Sequence, residues 1–224
     1  MRTARHQRGL SLVELLVGTA VGLIVAAAAS SVVSAHVHEN RRAMLETRLM
    51  QDLRSAADLV TRDLRRAGYW GHAASGVRGS SASAPPTNPY GIAVDAAASD
   101  AIRLSFSRDA NENDSVDDAE RFGFRRRGGA VEMQLGISNW QALNDAGTMV
   151  VTGFTIEPRL DEVSLAAFCA QPCAASGASC PPRQQVRSFT VTLAARSSHD
   201  AALTRSLRST VRLRNGAVTG SCTA

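Results

Sequence analysis

The sequence predicts an α+β fold in which one long N-terminal helix packs on an antiparallel β-sheet, and three observations predict it. Residues 10–33 form an apolar run that contains a single charge, that of Glu14. Residues 23–67 contain neither Pro nor Gly, and an apolar stripe at helical spacing continues to Ala67. The second half of the chain contains short runs in which apolar and polar residues alternate, as in half-buried strands.

The N-terminal apolar run is long enough to cross a membrane. At about 1.5 Å per residue, residues 10–33 can span the hydrocarbon core as a helix. Residues 1–9 are basic and contain no acidic residue, which predicts that they stay in the cytoplasm while the remainder lies outside. Arg2, Arg5 and Arg8 supply three of the positive charges behind the formal net charge of +5, so this charge is weak support for a nucleic-acid partner.

Glu14 is the unusual residue of this run. A carboxylate inside a membrane span costs a few kcal/mol unless it is paired. Two explanations stay open at this point. The side chain can extend to the lipid headgroups at the interface, or it can meet an opposite charge on another helix.

The segment from Gly9 to Glu14, GLSLVE, resembles the type IV prepilin processing motif. That resemblance implies cleavage after Gly9 by a prepilin peptidase and N-methylation of Leu10. It also implies that Glu14 pairs with the N-terminal amine of a neighbouring subunit inside a filament. The family usually has Phe at the first mature position, and Leu10 keeps the apolar character of that position.

The helix is predicted to continue beyond the membrane. Residues 10–34 form its transmembrane part and residues 35–70 an amphipathic part, with a free coiled coil as the competing interpretation. The two parts can make one helix of roughly 58 residues at 1.5 Å per residue. Its stripe consists of Val37, Leu45, Leu49, Leu53, Ala56, Val60, Leu64 and Ala67.

The end of this helix carries a second resemblance. The stretch from Arg62 to Gly71, RDLRRAGYWG, is similar to the end of the long helix in the minor pilin subfamily called PilW. Gly68 is predicted to end the helix, and Tyr69 and Trp70 are predicted to pack under the sheet.

Residues 71–224 are predicted to form a β-rich globular head. Residues 71–100 are rich in Gly, Ser, Ala and Pro and predict a long loop. Residues 158–185 are interpreted as an insertion that carries three cysteines. The strand-like runs are Ala101–Ser107, Arg121–Arg127, Ala130–Leu135, Met149–Glu157, Val186–Arg196 and Leu203–Arg214. The resemblance implies the pilin-like fold for this part.

The four cysteines predict disulfides rather than a zinc site. They are Cys169, Cys173, Cys180 and Cys222, an even number behind an export-like N-terminus. Four cysteines allow three pairings. We favour the pairing of Cys173 with Cys180 and of Cys169 with Cys222, because a bond to Cys222 would hold the C-terminus.

The acidic run from Asp109 to Glu120 predicts a calcium site. Oxygen-bearing side chains recur at the spacing of a calcium-binding loop, although Asp114 stands where that pattern has Gly. A solvated acidic hairpin loop is the alternative. The candidate ligands are Asp109, Asn111, Asn113, the Ser115 carbonyl, Asp117 and Glu120.

These features together predict a structural protein and not an enzyme. The sequence contains no nucleophile elbow, phosphate loop or two-cysteine zinc pair. The expected function is that of a minor pilin, processed by prepilin peptidase and assembled into, or priming, a type IV pilus. No cofactor is required, with Ca²⁺ as the one candidate.

The predicted partners are other major and minor pilins, prepilin peptidase, the inner-membrane assembly platform and the membrane; nucleic acid is not expected. The predicted location is the inner membrane with a periplasmic head, and the cell-surface pilus after assembly. Two alternatives stay open: a type II secretion pseudopilin, and a membrane-anchored calcium- or ligand-binding protein that is never assembled in a filament.

Overall fold

The computed structural model describes residues 11–76, 86–93, 99–173 and 180–222. The chain divides into two compact units, one ending at Glu46 and the other beginning at Thr47. One helix and two antiparallel sheets make up the secondary structure of the described residues, apart from short 3₁₀ turns. The predicted α+β class is confirmed.

Helix α1 runs from Leu12 to Arg66, a length of 55 residues. The prediction of a single uninterrupted helix is therefore confirmed. In the first unit its side chains are exposed from Leu12 to Met44. In the second unit its inner face is buried, and it consists of Leu49, Leu53, Ala56, Ala57, Val60, Thr61, Asp63 and Leu64.

Helix α1 ends where the sequence predicts. Gly68 has φ +71°, a left-handed conformation that favours glycine after a helix. Its N–H donates to the carbonyl of Ser105 at 2.9 Å. The last helical carbonyls are satisfied from the C-terminal part of the chain, since Asn215 Nδ2 donates to the carbonyls of Arg66 and Ala67 at 3.3 and 3.1 Å. The end of the helix is thus fixed by hydrogen bonds from two distant segments.

The two aromatic residues after Gly68 differ in their environment. Trp70 is buried, as predicted, with 4% of its surface exposed. Tyr69 is 50% exposed, so the prediction that it packs under the sheet is wrong. Its backbone carbonyl instead accepts a hydrogen bond from the N–H of Ser107 at 2.9 Å, which holds the residue through its main chain while the ring stays at the surface.

The first sheet is a five-stranded antiparallel meander in which each strand pairs with the next along the chain. Two of its strands, β3 and β4, begin and end where the sequence predicts. Short β1 and β5 were not predicted, because neither has the length or alternation of a strand. The strands are β1 (Ile92–Ala93), β2 (Ala101–Ser105), β3 (Arg121–Arg127), β4 (Ala130–Leu135) and β5 (Asn139–Ala142).

Tertiary contacts explain β5. Its Trp140 lies under the guanidinium of Arg125 on β3, with 3.9 Å between the Arg125 Cζ and the ring centroid. Gly123, also on β3, leaves room for this arrangement. A Cβ there would lie 2.8 Å from Gln134 Oε1 and 3.3 Å from the Trp140 ring.

The second sheet has the order β6-β7-β8, and β9 also pairs with β7. Its strands are β6 (Met149–Ser164), β7 (Arg183–Ser197), β8 (Thr204–Arg212) and β9 (Ala217–Thr219). The core alternates along β6 and β7, where Phe154 pairs with Leu193 and Ile156 with Val191, all four of them buried.

The interpretation of residues 158–185 as a separate insertion is wrong. Strand β6 continues to Ser164 and β7 begins at Arg183, so both ends of this segment belong to one long hairpin. Its polar composition concealed the strands, because beyond Pro158 the pairs no longer cover the core and both faces meet solvent.

Candidate functional site

The processing residues Gly9 and Leu10 lie outside the described residues, and the described chain begins beside them at Ser11. Ser11 caps helix α1: its Oγ accepts a hydrogen bond from the backbone N–H of Glu14 at 3.2 Å. Glu14 therefore lies in the first turn, at the positive end of the helix dipole. In the sequence, Glu14 follows the predicted cleavage point as the fifth residue.

The helix beyond Glu14 presents an apolar surface. Large apolar side chains are exposed along it, among them Leu15, Leu23 and Ile24. Two of its hydroxyl groups are satisfied inside the helix, since Thr19 Oγ1 donates to the Leu16 carbonyl at 3.0 Å and Ser31 Oγ to the Ala28 carbonyl at 2.8 Å. By length and composition this helix can cross a membrane. A surface of this kind requires lipid or other apolar helices around it.

In the head, the acidic loop is organised around Glu112, which was not among the predicted calcium ligands. Glu112 Oε2 accepts a hydrogen bond from the backbone N–H of Gly71 at 2.8 Å. Its Oε1 accepts one from the Tyr90 hydroxyl at 2.8 Å and one from the backbone N–H of Asp114 at 3.0 Å. One carboxylate thus joins the loop to the segment after the helix and to the segment before β1.

These contacts shift two pKa values. Burial acts to raise the pKa of Glu112, but hydrogen bonds, first from the Ser107 hydroxyl and then from the Gly71 N–H, outweigh it and lower the pKa to about 2. Burial, followed by the hydrogen bond to Glu112, raises the pKa of Tyr90. Glu112 is therefore held ionised and Tyr90 is held as a neutral hydrogen-bond donor.

Asp114 makes the second connection between the loop and the end of the helix. Its Oδ1 accepts a hydrogen bond from Trp70 Nε1 at 2.6 Å and lies 3.0 Å from His72 Nδ1. Asp114 has φ +58°, the left-handed conformation for which the calcium-loop pattern uses Gly at this position. The segment Trp70-Gly71-His72, which follows the end of helix α1, is therefore bound by the acidic loop, a role that the sequence did not reveal.

Several oxygen atoms of the predicted calcium ligands already accept hydrogen bonds from groups within or beside the loop. Asn113 Oδ1 accepts from the Ser115 N–H at 2.7 Å, and Asn113 Nδ2 donates to Asp117 Oδ2 at 3.1 Å. Glu120 is 1% exposed. Its two oxygens accept backbone N–H groups, from Arg108 at 2.7 Å and from Asp117 at 3.0 Å.

The remaining predicted ligands are Asn111, the Ser115 carbonyl and Asp109. Asn111 is exposed, and the Ser115 carbonyl lies 3.1 Å from the Tyr90 hydroxyl oxygen, as a second and longer acceptor beside Glu112. Asp109 Oδ2 is buried and has no hydrogen-bond partner. Burial first, and then the charge of Glu120, raise the pKa of Asp109 above its ordinary value.

The loop does not assemble the predicted ligands into a compact carboxylate cluster. Within the part of the chain that the structure describes, the group of three His, Cys, Asp or Glu residues whose ligand atoms lie within 4.8 Å of one another is Cys169, Cys173 and Cys180. All three are in disulfides. Calcium binding by the loop stays a prediction.

The disulfides have the pairing that the sequence analysis favours. Cys169 is bonded to Cys222 across 53 positions, and Cys173 to Cys180 across seven. The first bond connects the end of the β6–β7 hairpin to the C-terminal segment. The prediction of disulfides is confirmed, and among the described residues no cysteine is free.

The long apolar helix, the antiparallel sheets and the capped N-terminal turn define a type IV pilin-like protein. A family model described as prepilin peptidase-dependent protein B matches residues 42–213, more than half of the chain. A model described as the prokaryotic N-terminal methylation motif matches residues 4–30. The chain belongs to the prepilin peptidase-dependent protein B family. No curated protein and no solved structure matches the chain.

Proposed function

We propose that this protein is a non-enzymatic minor pilin of a type IV pilus. Prepilin peptidase cleaves after Gly9, Leu10 is methylated, and the processed subunit enters or primes the filament. The observation that carries this proposal is the exposed apolar helix, whose first turn holds Glu14 within the segment that matches the methylation motif. The PilW-like helix ending supports the finer assignment to that minor pilin subfamily.

The chemistry of Glu14 supports assembly over simple anchoring. A carboxylate that enters an apolar environment unpaired is strongly disfavoured, whereas a paired one is tolerated. Cleavage after Gly9 would create a positive amine at Leu10, and the exposed helix contains neither Lys nor Arg between Leu12 and Val37. The partner charge for Glu14 is therefore supplied by the amine of a neighbouring subunit, which also sets the register between the two helices.

The partners follow from this mechanism. Before assembly the protein occupies the inner membrane with a periplasmic head, where prepilin peptidase and the assembly platform act on it. After assembly its neighbours are the other major and minor pilins, and its location is the cell-surface pilus. The head carries the surfaces that differ between subunits, while the helix supplies the shared packing.

A substitution of Glu14 tests the proposal. Glu14→Ala should leave cleavage intact and should abolish copurification of other pilins with the tagged full-length protein. Glu39→Ala is the matched control, because Glu39 lies on the same exposed helix outside the apolar run. It should copurify pilins as the unchanged protein does. Retention of pilin partners by Glu14→Ala would contradict the pairing role of Glu14, and absence of pilins from the unchanged protein would support an anchored protein that is never assembled.

A further inference from the structure

The end of the β6–β7 hairpin brings both disulfides together. The Sγ atoms of Cys169, Cys173 and Cys180 all lie within 4.8 Å of one another, although they belong to two different bonds. Cys222, the partner of Cys169, is exposed, and the other three cysteines are half-buried. Cys169, Cys173 and Cys180 therefore each lie close to a sulfur of the other disulfide. Cys222 is bonded to one of them, Cys169.

We propose that the two disulfides form a single thiol-exchange unit that controls the attachment of the C-terminal segment. A thiol from the surroundings, either a small thiol or the cysteine of an oxidoreductase, starts the exchange and is recovered at its end. The unit therefore changes its pairing without a net oxidation or reduction.

The steps balance as follows. The external thiolate attacks Cys180, which forms a mixed disulfide there and releases the thiolate of Cys173. The Cys173 thiolate attacks Cys169, the bond between Cys169 and Cys173 forms, and Cys222 leaves as a thiolate. Cys222 then attacks the mixed disulfide at Cys180, forms the bond between Cys180 and Cys222, and expels the external thiolate.

The consequence concerns strand β9. It is three residues long, all of them exposed, and it pairs only with the first residues of β7. The bond between Cys169 and Cys222 lies just beyond it and ties it to the hairpin end. While Cys222 is a thiolate, β9 is held by its three strand pairs with β7 and by the Thr219 hydroxyl, which donates to the Arg183 carbonyl at 3.5 Å. Exchange thus makes the anchoring of the C-terminal segment responsive to thiols.

A variant with one free thiol tests the proposal without an external reagent. Cys180→Ser leaves the Cys173 thiol beside the bond between Cys169 and Cys222. The full-length protein in detergent is incubated near the thiol pKa of about 8.5, quenched with acid, alkylated and mapped by mass spectrometry. We expect a new peptide that links Cys169 to Cys173, together with alkylated Cys222. Circular dichroism checks that the fold is retained.

A second single variant keeps the test decisive if Cys180→Ser does not fold. Cys173→Ser leaves the Cys180 thiol, and we expect a link between Cys169 and Cys180. The double variant, with both cysteines replaced by serine, has no attacking thiol and should keep only the original bond to Cys222. The proposal is overturned if both single variants carry the alkyl label entirely on their unpaired cysteine and keep Cys222 fully bonded to Cys169.

Discussion

At the scale of single residues, Glu14 and Glu112 show what a sequence can and cannot reveal. Glu14 stands out because it is the single charge in a long apolar run. Glu112 is one of many acidic residues in its loop, and its role depends on Gly71 and Tyr90, which lie 41 and 22 positions away. Only folding brings those donors together, so local spacing pointed to calcium ligands and missed the residue that organises the loop.

Glu112 gives a prediction about acid stability. Folding lowers its pKa from 4.5 to about 2, so the folded state favours the ionised carboxylate. The stabilisation is therefore fully present above about pH 4.5 and is lost as the pH falls toward 2. Glu112→Gln should lower the free energy of unfolding at neutral pH by about 1 to 3 kcal/mol and weaken the pH dependence across that interval. Denaturant unfolding of the full-length protein in detergent measures both.

The control for this prediction lies in the same loop. Asp118 is 73% exposed at its side chain and lies 3.9 Å from Arg121. Asp118→Asn should change the free energy of unfolding by less than about 0.5 kcal/mol. An equal effect of both substitutions, or an unaltered pH dependence in Glu112→Gln, would show that the hydrogen bonds of Glu112 contribute nothing specific.

At the scale of elements, helix α1 could be predicted to within a few residues at each end. Its local signals agree: a capping serine, an uninterrupted stripe and a glycine at the end. The full length of the β6–β7 hairpin could not be predicted, because its outer half is polar on both faces. Backbone pairing and the disulfide hold that half in place. Strand β5 depends on the contact between Trp140 and Arg125, which no local pattern encodes.

The calcium prediction concerns the acidic loop as one element. The left-handed Asp114 and the buried, unpaired oxygen of Asp109 suit a cation, whereas the internal hydrogen bonds of Asn113 and Glu120 compete with it. Titration of the full-length protein with calcium in a calorimeter should give saturable heat in the millimolar range or below. Asp109→Asn should remove that heat and Asp118→Asn should keep it. Absence of heat from the unchanged protein at millimolar calcium would end the prediction.

At the scale of the whole molecule, one chain joins two parts with different requirements. The helix up to Glu46 buries none of its large side chains, whereas the unit from Thr47 onward has a core of its own. The first part depends on a membrane or a filament, and the second is stabilised by its own packing. The change of hydrophobicity and periodicity along the helix is the basis on which the sequence analysis separates residues 10–34 from residues 35–70. The sequence could not show that the head contains two sheets, because this depends on which strands pair over long distances along the chain.

The measurement that tests the central claim most directly is the mass of the N-terminal peptide from the full-length protein extracted from membranes. The proposed function predicts a chain that begins at Leu10 with a methylated amine. A chain that keeps Met1, or that begins at any residue other than methylated Leu10, would contradict it.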